Sequence, residues 1–238
     1  MAPNEPAPDA SANDRPVSWR EQAVARSLDP ARVRAERRVQ RFLDAALELM
    51  NTDSGKEFTV QEVVERSGQS LRSFYQYFAG KHELLLALFE ESVRSTALHL
   101  RSEISTQEPG LGRLRRFAFE YYRICQPTPK GRKGSKKAPT PALGEFAQQL
   151  LTEHPKEASQ AWVPLVTLLV EVLDECAELD AIRSDLDHRR IAGVILQAVS
   201  FNAFSATISG TSLKPDSNEA AEELWGVLLL GIGIRKPK

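Results

Sequence analysis

The stretch FTVQEVVERSGQSLRSFYQYFAGKHELLLAL, residues 58–88, decides how the N-terminal part of this chain folds. Thr59 and Glu62 form a T-x-x-E capping box, which predicts a helix that begins directly after Thr59. Gly68 can adopt the left-handed conformation that ends such a helix without a Cβ clash. Ser70 is then a suitable N-cap for a second short helix. The pattern predicts two short helices joined by a tight turn.

The second of these helices, predicted over residues 71–77, has an apolar side and a polar side. Phe74 and Phe78 lie four residues apart, so we expect them to anchor the helix to a small core. Arg and Gln can read base edges, whereas Ser, Tyr and Lys suit phosphate oxygens. This arrangement is typical of a helix-turn-helix. The candidate DNA-binding residues are Thr59, Ser70, Leu71, Arg72, Ser73, Tyr75, Gln76, Tyr77 and Lys81.

Several segments at matching spacing resemble the DNA-binding domain of the TetR family of transcriptional regulators, over about residues 38–95. The sequence departs from the family at Gln69, where a small residue or Val is usual, and at Leu71-Arg72-Ser73, where Lys-Gly-Thr is common. The resemblance therefore implies the fold but not the DNA sequence that is read. The matching segments are FLDAALELM (42–50), TVQEVVERSGQS (59–70), FYQYF (74–78) and GKHELLLAL (80–88).

No segment has a clear strand pattern, so we predict an all-α protein of 238 residues. The resemblance implies an N-terminal three-helix helix-turn-helix domain joined to a larger C-terminal helical domain for ligand binding and dimerisation. The predicted divisions are a disordered or partly helical arm (1–28), the helix-turn-helix DNA-binding domain (29–80) and the C-terminal domain (81–238), which includes a flexible basic loop (126–141).

Capping and breaker signals place the individual helices. Ser18 and Glu21 predict a short helix over 19–27, and Asp29-Pro30 predicts a separate start for the next helix. Later helices are predicted over 81–105, 111–125, 142–153, 155–179, 187–208 and 218–234, with Pro164 as a kink or a later start in the fourth of these.

The net charge of −1 favours no particular partner, but the charges are unevenly distributed. Residues 15–41 contain eight Arg and three acidic residues, and residues 111–137 contain nine basic residues and one Glu. Residues 142–190 contain ten acidic and four basic residues. The basic N-terminal arm and the basic loop are therefore possible DNA contacts, although a solvated loop is the simpler interpretation of the latter.

The two cysteines, Cys125 and Cys176, imply neither a disulfide framework nor a Cys-rich zinc site. Both lie in apolar helical patterns, which favours buried reduced thiols over a redox sensor. The N-terminal residues lack the apolar core of a secretory signal, and the longest apolar run, 224–234, is too short to span a bilayer. We expect a cytoplasmic protein without membrane association.

The C-terminal helices are the expected sites of dimerisation and ligand binding. The last two are unusually apolar, and in the family such helices form a four-helix interface between two subunits. A homodimer would bring two recognition helices to major grooves about 34–36 Å apart. The candidate ligand-binding residues on the middle helices and the penultimate helix are Phe117, Tyr121, Tyr122, Trp162, Leu165, Leu169, Phe201, Asn202 and Phe204.

The resemblance thus implies a ligand-responsive regulator, most often a repressor, that binds a palindromic operator in double-stranded DNA and is released by a small apolar or aromatic effector. The alternative is a helical small-molecule sensor without operator recognition, which an acidic recognition face or a buried Arg72 would favour. An all-α enzyme has only His99 and Glu103, at i and i+4, in its support. No catalytic motif is recognised, and no catalytic residue, cofactor or metal site is predicted.

Overall fold

The computed structural model describes residues 19–52, 58–125, 141–208 and 218–233. The all-α prediction is confirmed, since these residues form helices joined by turns, with one isolated β-bridge between Ile182 and Gly233. The helices are α1 (Trp19–Thr52), α2 (Val60–Ser67), α3 (Leu71–Tyr77), α4 (Lys81–Ile104), α5 (Leu111–Cys125), α6 (Pro141–Glu153), α7 (Pro155–Glu178), α8 (His188–Ile208) and α9 (Asn218–Ile232).

The first helix differs from the prediction. Instead of a short helix over 19–27 and a new start at Asp29-Pro30, α1 continues through Pro30. Pro removes one backbone hydrogen bond but does not always end a helix, and the Ala, Arg, Glu and Gln residues around it are strong helix formers. The chain divides into two compact units, Met1–Arg41 and Phe42–Lys238, so the last part of α1 belongs to the second unit.

The two short helices have the caps that the sequence predicts. The Thr59 hydroxyl accepts a hydrogen bond from the Glu62 amide at 3.2 Å, and the Glu62 carboxylate accepts one from the Thr59 amide at 2.7 Å. Gly68 ends α2 in the left-handed region, at φ 65°. The Ser70 hydroxyl then accepts a hydrogen bond from the Ser73 amide at 3.1 Å, which starts α3.

An aromatic cluster holds α3 against α1. Phe42 and Phe74 are fully buried, and Phe78 is nearly so. The Phe42 ring meets Phe74 edge-on at 5.4 Å between centroids, and Phe78 at 6.1 Å. Such edge-to-face pairs contribute about 0.5–1.5 kcal/mol each beyond the burial of their area. The predicted anchoring role of Phe74 and Phe78 is therefore present in the structure.

The larger helical body begins with α4, directly after the helix-turn-helix. Glu83 accepts a hydrogen bond from the Ala79 amide at 2.5 Å at the start of α4, and α4 packs against α5, α6 and α7. Near the other end of the chain, the Arg183 amide donates to the Ile232 carbonyl at 3.0 Å and ties the end of α9 to the α7–α8 connection. None of the described helices combines the length and apolarity needed to cross a membrane.

From residue 81 onward, the helix boundaries lie within two residues of those expected from capping and periodicity. Pro164 lies inside α7, which runs continuously from Pro155 to Glu178. Most of the basic loop predicted over 126–141 lies outside the described residues, as do residues 1–18 of the predicted arm.

Gly68→Ala is expected to weaken the helix-turn-helix by about 1–2 kcal/mol, because an L-residue is strained in the left-handed region. A Cβ built on Gly68 has no neighbouring heavy atom within 4 Å, so the cost is confined to the backbone. Hydrogen exchange of the α2 and α3 amides would measure it. The matched variant Gly68→Asn should lose less stability than Gly68→Ala, since Asn tolerates the left-handed conformation better than Ala does. Equal protection in Gly68→Ala and the native protein would contradict the prediction.

Candidate functional sites

The outer face of α3 carries the most exposed of the predicted DNA-binding residues. Leu71 is 47% exposed and Tyr75 is 57% exposed, and Arg72 and Gln76 are also exposed. Arg72 has no ion-pair partner among the described residues, so its guanidinium is available to an external acceptor. The face exists because Phe74 takes the opposite side of a helix only two turns long.

The other predicted contacts are less freely available. The Ser73 hydroxyl oxygen is buried and lacks a hydrogen-bond partner within the described part of the chain. Tyr77 is half-buried, and the Lys81 ammonium lies 4.8 Å from the centre of the Phe58 ring. Thr59 and Ser70 are exposed, but their hydroxyls already accept cap hydrogen bonds. These residues therefore lie at the caps of α2 and α3, within α3 and at the start of α4, and the two cap residues also have a structural role.

The basic charge of α5 is largely neutralised within the fold. Its four arginines all form ion pairs, with acidic residues drawn mainly from other helices. Glu120, whose side chain is only 8% exposed, pairs with two of them. The described half of the basic segment 111–137 is therefore held by internal partners rather than presented as a free anion-binding face. The pairs are Arg113–Glu175, Arg115–Glu222, Arg116–Glu103 and Arg123–Glu120.

Most of the predicted ligand-binding residues lie in the buried interior of the helical body. Five of them are buried, on α5 and α7, and Trp162 is partly buried. Phe201 differs, since 64% of it is exposed and it does not join that interior. The side chains of Asn202 and Phe204 lie outside the described part of the structure. The five buried residues are Phe117, Tyr121, Tyr122, Leu165 and Leu169.

Two polar groups stand out in this apolar interior. The Tyr121 hydroxyl donates to the Leu196 carbonyl at 3.4 Å, and burial raises the pKa of Tyr121 well above its usual value. The indole nitrogen of Trp162 is buried without a hydrogen-bond partner among the described residues. The Trp162 and Phe89 rings lie 6.0 Å apart between centroids. An unpaired buried N–H costs about 1–3 kcal/mol, so an acceptor placed there would be favoured.

The His99 and Glu103 pair does not form a free chelating site. The Glu103 carboxylate accepts a hydrogen bond from Arg116, and this bond lowers the pKa of Glu103. The structure instead brings together His82, His154 and Glu157, which the sequence analysis missed. The spacing of His154 and Glu157 is the only local signal, because His82 lies 72 positions earlier.

Large apolar side chains are exposed on the last two helices. On α8, Val194 and Phe201 are 57% and 64% exposed and lie seven residues apart, which places them on one face. On α9, Val227 and Leu230 are 69% and 81% exposed and lie three residues apart. Apolar side chains presented in this way are typical of a surface that a protein partner covers.

Residues 42–88 match the family model described as bacterial regulatory proteins of the tetR family. No curated protein matches the chain. Among solved structures, a TetR-family regulator from Mesorhizobium loti MAFF303099 has a TM-score of 0.62 at 13% identity, covering 84% of this chain and 99% of its own. The fatty acid degradation regulator FadR from Bacillus halodurans has a TM-score of 0.61 at 18% identity, covering 80% and 94%. FadR from Bacillus subtilis, in complex with stearoyl-CoA, has a TM-score of 0.60 at 15% identity, covering 81% of this chain and 98% of its own. These likenesses concern the fold.

The two thiols are expected to react slowly in the folded protein. Burial raises the pKa of Cys125 to about 12 and that of Cys176 to about 11, so little thiolate exists at pH 8. Alkylation of the native protein should accelerate about tenfold per pH unit and show no plateau below pH about 11. The same reaction in guanidinium should level off near pH 9, and the Cys176→Ala variant would assign the two signals. A plateau of the alkylation rate below pH 9 in the native protein would contradict the raised pKa values of the thiols.

Proposed function

We propose that this chain, which carries the DNA-binding domain of the TetR family, is a ligand-responsive transcriptional regulator that binds DNA as a dimer. The observation that carries the proposal is the exposed α3 face with Arg72 and Gln76, fixed from behind by the buried Phe74. Arg and Gln are side chains that read purines in the major groove. A seven-residue helix held by its N-cap and a buried ring is suited to enter that groove.

The alternative is a helical sensor that has lost operator recognition. Gln69 and the unusual opening of α3 motivate it, because these positions differ from the family pattern. A buried Arg72 would have favoured this alternative, whereas Arg72 is exposed. The Gln69 amide donates to the Gly68 carbonyl at 3.4 Å, so that its departure from the pattern is accommodated within the turn. The exposure of Arg72 supports DNA binding, and the Gln69 contact shows that this residue fits the turn.

Dimerisation is proposed through α8 and α9. Their exposed apolar side chains are unfavourable in water, and burial of a Val or Leu side chain contributes about 1.5–3 kcal/mol. A two-fold dimer uses the same surface on each subunit, so one apolar face suffices. Two recognition helices related by such an axis would read two halves of a palindrome, about 34–36 Å apart.

An effector is proposed to bind among the middle helices, near the buried aromatic residues of α5 and α7. The unpartnered Trp162 indole nitrogen supports a ligand that is mostly apolar and offers one acceptor. Release from DNA would follow if the effector binds more tightly to a dimer in which the recognition helices are wrongly spaced. That sequence of events makes the protein a repressor. Stearoyl-CoA, found with a fold relative, is a reasonable first probe.

DNA binding is tested by gel shift and fluorescence anisotropy with the full-length chain and fragments from upstream of its own gene. We expect the logarithm of the binding constant to fall linearly with the logarithm of the salt concentration. Arg72→Ala should reduce the preference for the best fragment over random DNA about 5- to 150-fold, which corresponds to about 1–3 kcal/mol.

The matched control for this experiment is Arg94→Ala, an exposed arginine on α4 outside the recognition helix. Its preference should equal that of the native chain. Failure to bind any fragment at low salt would favour the sensor. An undiminished preference in Arg72→Ala would remove that residue from base recognition.

Dimerisation is tested by light scattering on a size-exclusion column. The native chain should have a mass about twice its 26.5 kDa. Leu230→Glu should shift it to the mass of one chain, because a buried unpaired carboxylate is costly. Leu98→Glu is the matched control, since Leu98 is also an exposed leucine, at 65% against 81% for Leu230, but lies on α4. If Leu230→Glu stays dimeric or Leu98→Glu dissociates, the proposed interface is wrong.

A further inference from the structure

We propose that His82, His154 and Glu157 form a binding site for one divalent transition-metal ion of the zinc type. His82 lies in the first turn of α4, His154 immediately precedes α7, and Glu157 lies in the first turn of α7. Their ligand atoms all lie within 4.8 Å of one another. The inference stands on this geometry and does not depend on the proposed DNA binding.

The distances suit a tetrahedral ion. Zinc bonds of about 2.0–2.1 Å at tetrahedral angles place neighbouring ligand atoms about 3.3–3.4 Å apart. His82 Nε2 lies 3.1 Å from one Glu157 oxygen, and His154 Nδ1 lies 3.7 Å from the other. The two imidazole rings are 4.7 Å apart between centroids. Since the ligand atoms lie within 4.8 Å of one another, movements of about 1 Å by these exposed side chains would bring all three groups onto a single ion.

The set of ligands determines which ion is expected. Two imidazoles and one carboxylate are the ligands of many zinc sites that keep a fourth position open. Magnesium and calcium prefer oxygen ligands and more of them, so they fit poorly. The helix N-termini at His82 and His154 add partial positive charge that opposes any cation, so the bonds from the two imidazoles and the carboxylate must outweigh it.

The site is accessible and partly preorganised. The side chains of His82, His154 and Glu157 are 49%, 43% and 39% exposed, so an ion can enter from solvent and a water can occupy the fourth position. On its other side, the His82 ring packs against Phe146 at 5.7 Å between centroids. This contact restricts the ring and lowers the entropy lost on binding.

A bound ion would join the first turn of α4 to the first turn of α7. His82 lies four residues after the buried Phe78, and α4 and α7 pack along each other in the body. The ion would therefore act as a cross-link between helices that are distant in sequence. Because it binds the folded chain, it would also raise the thermal stability.

The test is calorimetric titration of ZnCl₂ into the tag-free, full-length chain after treatment with EDTA. We expect one zinc per chain and little heat with MgCl₂. His82→Gln and Glu157→Gln should each weaken zinc binding at least tenfold. His99→Gln is the matched control, an exposed histidine on the same helix, and should bind as the native chain does.

Thermal unfolding and X-ray absorption complete the design. At free zinc about one hundred times Kd, Tm should rise by about 5 °C or more, and by far less in His82→Gln. In EDTA the variants should melt like the native chain, which excludes misfolding. The absorption spectrum should contain nitrogen and oxygen neighbours at about 2.0–2.1 Å and no sulfur at about 2.3 Å.

Three results would overturn the proposal: no zinc binding by the native chain, equal affinity in His82→Gln, or zinc–sulfur contacts that assign the ion to the cysteines. In the first case the cluster is only a hydrogen-bonded surface group. None of these results bears on DNA binding, which the anisotropy experiment measures separately.

Discussion

The contact of Phe42 with Phe74 and Phe78 is the interaction on which the helix-turn-helix depends. A seven-residue helix is too short to persist in water, since helix nucleation costs more than so few hydrogen bonds return. Packing supplies the difference. Because the two rings occupy the inner side of α3 and its end, Arg72, Tyr75 and Gln76 face outward. The 3.6-residue period of the helix thus places the buried rings and the proposed recognition face on different sides of α3.

The same packing links the recognition helix to the body. Phe78 is followed within three residues by α4, whose Leu84 and Leu88 are buried. α4 in turn packs along α7 and α5. A movement of α4 relative to α7 would therefore displace the backbone next to Phe78. The proposed effector region and the proposed metal site both lie beside these helices.

The charged residues of the helical body are arranged differently in the fold from what their order in the sequence suggests. The basic residues of α5 look like an anion-binding patch when counted along the chain, but its arginines meet acids from α4, α7 and α9 as well as its own Glu120. The most exposed of these pairs, Arg115–Glu222, contributes little to stability, typically below about 1 kcal/mol. Arg72, by contrast, is exposed and has no ion-pair partner in the described part of the chain, so its guanidinium is available to an external acceptor.

The sequence by itself determined the features that depend on near neighbours: the capping box at Thr59, the left-handed Gly68, the Ser70 cap, and the helix boundaries after residue 81. These follow from interactions three or four residues apart, which a periodic pattern records directly. It misjudged Pro30, because the cost of one interior proline competes with the helix formers around it. Only the tertiary structure decided the exposure of Phe201, the burial of the Ser73 hydroxyl, the pairing of the α5 arginines and the meeting of His82 with His154 and Glu157. Each of these depends on helices brought together by packing, and no local spacing encodes which distant side chains will then touch.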